Sequence, residues 1–593
     1  MKKWYCSNWF IRINKVGEMV REVIRYTFTY KWFILSLFLF IFIQTLTQLF
    51  LPTLMGKIVD EGVVVGNISY IWKIGLVMLA VAALGVVMSI VVSFYASKVA
   101  MSVGRDIRED LFSKVTYFSI HDIDSIGTAS LITRTTNDIT QIQQALVMFL
   151  RMFLTAPFML IGGIAMAFIK DIKLSLVILF VMPVIVVTVF LLMKKGYPLF
   201  KAVQKRLDRL NIVLRENLTG VHVIRSFTKQ FDERKRLKQA NANLTNVSIK
   251  VNRLMAFMMP LMMLLMNVTI VLIIWFGGIR IENGMMQIGD LMAFIQYVML
   301  ILMALMMTSM MFVIIPRASV SANRIKEVLD LTPGEKSSGD KKINQERLQV
   351  MFRDVQFSYP EADRLALSGI NFTAKPGETT AIIGGTGSGK TTLIQLLPRF
   401  YEPTSGQIYI NDTPLIEYDE EILRQVIGYV PQRALLFSGT VRDNLRYGNE
   451  LATEEEIVQA AKVAQADDFI MKLPDGYDTY IEQGGANLSG GQRQRLSIAR
   501  AIVRNPSIYI FDDSFSALDY ETDRKLQSAL ANVTKNAAVI VVAQRISSVK
   551  EADQIIVLDQ GEMVGKGSHD ELIKTSKVYQ EIVASQNGEG ASA

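Results

Sequence analysis

Cysteine is almost missing from this chain: Cys6 is the only one in 593 residues. No intrachain disulfide can form, and no zinc site can be built from thiolates. Histidine is scarce as well, at three, which argues against a His-rich metal centre. Acidic residues are absent where it matters most. Six apolar stretches, at about 33–55, 72–96, 146–169, 174–193, 254–278 and 290–315, hold no Asp or Glu except Asp290, at the start of the last. Each is long enough as a helix to span a hydrocarbon core, which takes about 20 residues. They lack the polar face that a soluble core helix shows. Methionine is skewed the same way: of 30, only Met351, Met471 and Met563 follow residue 320. One uniform soluble fold, a disordered chain and a fibrous repeat are thereby excluded.

What is present orients these spans. The segment 194–253 carries 15 Lys and Arg against four acids, Asp208, Glu216, Asp232 and Glu233. The segment 97–145 adds Lys98, Arg105, Arg108, Lys114 and Arg134, whereas the other connections are short and poor in basic residues. The positive-inside tendency puts both long connections and both termini in the cytoplasm. Their helical periodicity predicts that spans two to five continue as helices beyond the membrane. The net excess, 63 − 55 = +8, is spread out and reads as membrane-flanking charge, with no nucleic-acid stripe. Residues 1–32 show no cleavable signal pattern. Trp4, Trp9, Phe10 and Ile11 interleaved with Lys and Arg suit a helix lying in the cytoplasmic interface. Around 331–346, Pro, Gly, Ser and charge without apolar period read as a linker. Residues 347–585 form the second domain, and 586–593 a flexible tail.

Past the linker, short β-rich runs alternate with amphipathic helices, as in an α/β domain with a largely parallel sheet. The run AIIGGTGSGKTT is an apolar strand, a glycine loop and a helix start. Gly384, Gly385, Thr386, Gly387, Ser388 and Gly389 can turn backbone N–H groups onto phosphate oxygens. Lys390 can bridge the β- and γ-phosphates, Thr391 can offer its hydroxyl to Mg²⁺, and Thr392 follows at the helix start. Strand 508–512 ends in Asp512, a carboxylate suited to holding Mg²⁺ beside such a loop. The run Leu488, Ser489, Gly490, Gly491, Gln492 opens another helix. By itself it is either an N-cap or a second anion site serving nucleotide held by another copy.

These residues, in the order Tyr359, GGTGSGKT, Gln432, LSGGQ, IYIFDD and SALD, resemble the ATP-binding cassette (ABC) transporter family. Six spans, two long cytoplasmic connections and a C-terminal cassette look like a half-size exporter. The expected fold is a polytopic α-helical membrane domain of six transmembrane helices (33–330, type I exporter-like) followed by an α/β P-loop ATPase domain. The resemblance implies ATP and Mg²⁺ as cofactors and a sandwich dimer closed on two ATPs by the P-loop of one chain and the LSGGQ of the other. It implies that Tyr359 stacks on adenine, that Gln432 reaches metal or water, and that Asp519 lies in a loop crossing the dimer. It also implies coupling helices near Asp122–Gly127 and Gly220–Phe227.

Two positions depart from the family. Asp513 stands where active members have Glu, and Gln544 stands where they have His. Asp is one methylene shorter, so its carboxylate falls back by about 1 Å on a fixed backbone, and a misplacement of that size can cost roughly 10²-fold. Gln cannot carry the charge of an imidazolium. Both point to ATP bound well and hydrolysed slowly, as in the impaired subunit of a heterodimer with a second half-transporter; a homodimer with two slow sites is the competing reading. Before LSGGQ, Glu482-Gln483-Gly484-Gly485 also replaces the more usual Gly-Glu-Arg-Gly.

Substrate is read from the spans. Met255, Met258, Met259, Met262, Met263 and Met266, then Met299, Met303, Met306, Met307, Met310 and Met311, recur at spacings that put most of them on one helical face, which suits a surface repacking around apolar ligands, gaps between helices, or lipid. Gln44, Gln48, Asn267 and Gln296 are uncharged polar groups at membrane depth and need partners. Amphiphilic drug-like compounds or lipids exported across the plasma membrane fit best. A lipid flippase and an ATP-binding sensor without transport are alternatives. With 32 residues before the first span, an N-terminal peptidase domain is not expected, and the fused layout argues against an importer.

Overall fold

The computed structural model describes residues 23–331, 339, 341–343, 347–360, 362 and 364–589. They form two compact units: one holds the spans, and the other holds residues from Pro333 onward together with Phe118–Ser125.

Six helices of the first unit are long and apolar enough to cross a membrane: Lys31–Val63, Ile68–Thr116, Thr128–Lys170, Ile172–Thr219, Gln230–Glu282 and Ile288–Thr308. Each contains or largely overlaps one of the apolar stretches. Spans two to five do continue as helix well past the apolar windows. The helix starts are specified locally. Asn67 caps the second by accepting from Tyr70 N, and Asp171 caps the fourth by accepting from Leu174 N, each satisfying an otherwise orphan N–H.

Charge collects where the helices end. Lys170 Nζ donates to Asp290 Oδ1 at 2.5 Å, Arg280 Nε to Asp171 Oδ2 at 2.6 Å, and Gly289 N to Asp60 Oδ1 at 2.6 Å. The first and sixth spans approach closely there, since a Cβ on Gly289 would lie 2.1 Å from the Gly56 carbonyl. Below this contact the buried Tyr297 donates to Leu49 O at 3.0 Å, amid Phe294, Val298 and Ile301.

Of the expected interfacial helix, residues 1–22 lie outside the described residues. Residues 23–29 are helical, and Tyr26 and Tyr30 donate to Asp110 and Asp106 on the second long helix, both at 2.6 Å.

The second unit is built on a ten-stranded sheet. Its parallel heart runs Ile427–Val430, Ile508–Asp512, Ala538–Val542, Thr379–Gly384 and Gln554–Asp559. An antiparallel wing contains Leu367–Ala374, Val350–Phe357 and Ser405–Ile410. The central strands are buried on both faces. Ile382, Ile510, Ile540 and Ile556 enter one core, while Ile383, Phe511, Val541 and Val557 enter the other. That two-sided burial explains why these strands read as continuous apolar runs.

Two boundary stretches carry contacts among the described residues. Within 331–346, Lys341 pairs with Glu417 at 2.6 Å, and Ile343 packs on the antiparallel core. At the other end, Gln586 lies in helix Lys577–Glu589 and finds backbone partners on another loop.

Candidate functional site

The parallel strands decide which loops meet. In register, Val542 lies beside Ile382 on one side and Asp512 on the other. The residues that follow these strand ends therefore emerge together at the carboxyl edge of the sheet, where open α/β sheets bind ligands. There they line a cavity of about 540 Å³, bordered by Tyr359, Thr386–Thr392, Gln432, Asp512, Asp513 and Gln544. The motif residues, far apart in sequence, are thus brought to one place.

The loop 384–389 closes tightly on its own lysine. Lys390 Nζ donates to the carbonyls of Gly384 (2.8 Å) and Gly385 (2.7 Å), and lies 3.5 Å from Ser388 Oγ. Burial lowers its pKa, while Asp513 and Asp512 work against that. Gly389 has φ +95°, and a Cβ there would sit 2.8 Å from Leu367 Cδ2, so glycine is required by both conformation and space. Helix Lys390–Gln395 starts at once. Thr392 Oγ1 meets the Tyr359 hydroxyl at 2.9 Å, holding that ring at the rim, edge-on to Tyr401 with centroids 5.4 Å apart.

Asp512 is 2% exposed, and its Oδ1 accepts from Thr391 Oγ1 at 3.2 Å. Burial pushes its pKa up to about 6, offset in part by that hydroxyl. No cluster of three or more metal-ligating side chains occurs among the described residues. A hydroxyl and one carboxylate alone fit Mg²⁺, which usually takes one or two protein oxygens and completes its shell with phosphate and water. Thr391 and Asp512 would hold it. When bound, Mg²⁺ would neutralise charge on the phosphate oxygens.

Asp513 is the centre of a small network. Its Oδ2 accepts from Gln544 Nε2 at 2.9 Å and from Gln432 Nε2 at 3.2 Å. Its backbone adopts φ +46°, an uncommon conformation for a residue with a side chain. It is held by Asp513 N to Val542 O at 2.9 Å and by Ser516 Oγ to Asp513 O at 2.9 Å. Burial raises the Asp513 pKa, and the Gln432 bond opposes it.

The LSGGQ segment lies outside this cavity. Ser489 caps helix Gly490–Val503 in a reciprocal box: Gln492 N donates to Ser489 Oγ at 3.3 Å, and Ser489 N to Gln492 Oε1 at 2.8 Å. Arg493 Nη1 donates to Leu488 O and Gly485 O, fixing the turn. The capping reading is therefore realised, which leaves the hydroxyl of Ser489 positioned at a helix N-terminus. Asp519 caps Tyr520–Val533 by accepting from Thr522 N, without a reciprocal bond, and its bonds from Thr522 lower its pKa.

The membrane candidates divide. Gln44 and Gln48 have buried side-chain oxygens without a hydrogen-bond partner among the described residues. Asn267 is exposed, as are Gln296, Met299, Met303 and Met306, which share one face of the sixth span. The opposite face, with Ala293, Phe294, Tyr297 and Ile301, is buried. Of the coupling stretches, short helices form at Ile120–Ile126 and Val221–Ser226. Phe118–Ser125 falls in the second unit, where Tyr401 donates to Asp124 Oδ2 at 3.3 Å. Sequence reasoning missed Tyr401, Gln560 and Gln586. Tyr401 packs on Tyr359, Gln586 bonds the Gln544 carbonyl and Gln560 borders the cavity from a turn, each from outside any motif.

Comparison with known proteins agrees with this geometry. Residues 33–306 match the ABC transporter transmembrane region family, and 367–516 match the ABC transporter family. The chain is 42% identical over 547 residues to an uncharacterized ABC transporter ATP-binding protein, YfiB, of Bacillus subtilis (strain 168), covering 92% of this chain and 95% of that one. It is 31% identical to the ATP-dependent lipid A-core flippase of Chromobacterium violaceum, over 99% of each chain. A solved bacterial Atm1-family ABC exporter with ATP bound superposes with a TM-score of 0.78 at 25% identity, over 94% of this chain and 99% of that one.

A multi-pass membrane domain fused to a P-loop ATPase is the class of protein that this fold and site define. The chain belongs to the ABC transporter family and has the exporter fold, in which ATP hydrolysis is coupled to transport and chains work as dimers in a lipid membrane.

Proposed function

We propose that this chain is the slow-site subunit of a heterodimeric exporter in the plasma membrane, with its ATPase domain in the cytoplasm. Its P-loop holds ATP with Mg²⁺ at Thr391 and Asp512, and its LSGGQ completes the hydrolytic site of a second half-transporter. Asp513 carries this reading. Its carboxylate is a methylene short, and one of its oxygens is already engaged by two amides, from Gln432 and Gln544. A general base must come within about 2.6–3.2 Å of the proton it takes. A carboxylate held back in this way is poorly placed for that task, and Gln544 supplies no cationic donor.

The test restores both groups. Turnover at this P-loop is expected to rise at least tenfold in Asp513→Glu/Gln544→His, with ATP affinity unchanged. A purified lone chain that already hydrolyses at full speed would exclude both the slow site and the need for a partner.

The exported compound is amphiphilic. The face of Gln296, Met299, Met303 and Met306 supports this, since it offers polarisable groups and one amide without any charge. A lipid substrate is the second reading, favoured by the likeness to the lipid A-core flippase. Vesicle assays with a dye and with a labelled lipid distinguish the two.

A further inference from the structure

Strand Ala538–Val542 leads into residues 543–549, here called the switch loop because it carries Gln544 beside Asp513; the final sheet bond is made at Ala543, whose N–H donates to Ile382 O at 3.1 Å. Beyond it the chain leaves the sheet, and two backbone groups of the loop, the Gln544 carbonyl and the Ile546 N–H, are both taken by one side chain from the C-terminal helix. Gln586 Nε2 donates to the Gln544 carbonyl at 2.7 Å, and Gln586 Oε1 accepts from Ile546 N at 2.8 Å. A single amide thus pairs with a carbonyl and an N–H two residues apart, much as a neighbouring strand would.

The helix that carries Gln586 is firmly seated. Tyr579 is fully buried, with its hydroxyl 2.7 Å from His569 Nδ1. Ile582 and Val583 pack against the same core as Ile546. The bond chain then continues inward: Gln544 Nε2 reaches Asp513 Oδ2 at 2.9 Å.

We propose that the C-terminal helix sets the switch loop, with Gln586 as a positioning residue that acts on Gln544 and, through it, on Asp513. None of the helix's described side chains lines the cavity. It fixes the carbonyl of Gln544, and with it the direction of the side chain that meets Asp513. This holds whether the site is slow or fast, so it does not depend on the heterodimer reading.

The test uses the full-length chain reconstituted in lipid. Gln586→Met keeps the length and removes the amide; Gln586→Glu keeps the acceptor and removes the donor to Gln544. Each is expected to lower the single-turnover rate of ATP hydrolysis about tenfold, as an ångström-scale displacement can, with ATP affinity within twofold. In a Gln544→Ala chain the same Gln586→Met change is expected to alter the rate less than twofold, since a residue that acts through another is not additive with it. Equal losses in both backgrounds, or no loss in either variant, would overturn the proposal.

Hydrogen exchange across 543–549 gives a readout that needs no turnover. Gln586→Met should speed it at least tenfold, because Ile546 N–H loses its acceptor. Unchanged exchange would overturn the proposal even if the rates are too low to compare. If Gln586→Met melts below the assay temperature, Gln586→Glu decides by the same measures.

Discussion

At the scale of single residues, Asp512 and Asp513 sit side by side yet do different work. Asp512 faces Thr391 and is pushed up to about 6 by burial. Its protonated form cannot serve as a metal ligand. Affinity for MgATP should therefore fall as pH drops through about 6, by up to about tenfold per unit. Binding of ATP without Mg²⁺ should change less, and Asp512→Asn should remove the difference; isothermal titration at several pH values checks this. The unliganded fold has the opposite slope. An acid whose folded pKa is raised binds its proton more tightly in the fold, so its contribution to stability declines as pH rises from 3.8 toward about 6.

Motif residues were legible in the sequence because strand, glycine loop and helix follow one another without a break. Gln586 was not, because it lies 42 residues beyond Gln544 on a helix whose pattern says only that one face is buried.

At the scale of elements, the helix Gly490–Val503 shows how one residue can serve two purposes. Ser489 caps the helix, and in the proposed sandwich dimer its hydroxyl would also meet a partner's nucleotide. Asp caps as well as Ser does, but it brings a negative charge toward phosphate. Ser489→Asp should keep the melting temperature of the chain within a few degrees while abolishing ATP-driven dimer closure, seen by light scattering of the full-length protein. Ser489→Ala should instead cost about 1 kcal/mol of stability. A Ser489→Asp dimer that closes normally would restrict Ser489 to capping.

Elements were read most accurately where periodicity was long. The six spans follow from apolar length alone, and so do the two-sided strands of the parallel sheet. The contacts of Ile343 and Gln586 are not legible in the sequence, because each residue lies in a polar stretch and its partners lie far away along the chain.

At the scale of the whole molecule, labelling the exposed face of the sixth span tells a substrate path from a lipid contact. Cys6→Ser leaves a chain without thiols. On that background Met303→Cys, at a position 51% exposed, should react with a hydrophilic maleimide before ATP is added and be protected afterwards. Phe180→Cys, at a position 77% exposed on the fourth span, should stay unreactive in lipid. Equal reactivity at the two sites would remove Met303 from the substrate path.

The longest helix, Gln230–Glu282, has 53 residues and so extends about 80 Å at 1.5 Å per residue. Most of that length lies beyond a hydrocarbon core of about 30 Å. Such a rod acts as a lever: tilting it by only about 5° would displace its far end by about 7 Å. Pro260, inside it, removes one backbone donor and marks where the lever would yield. A modest swing at one end of such a rod is geometrically sufficient to displace whatever packs against the other.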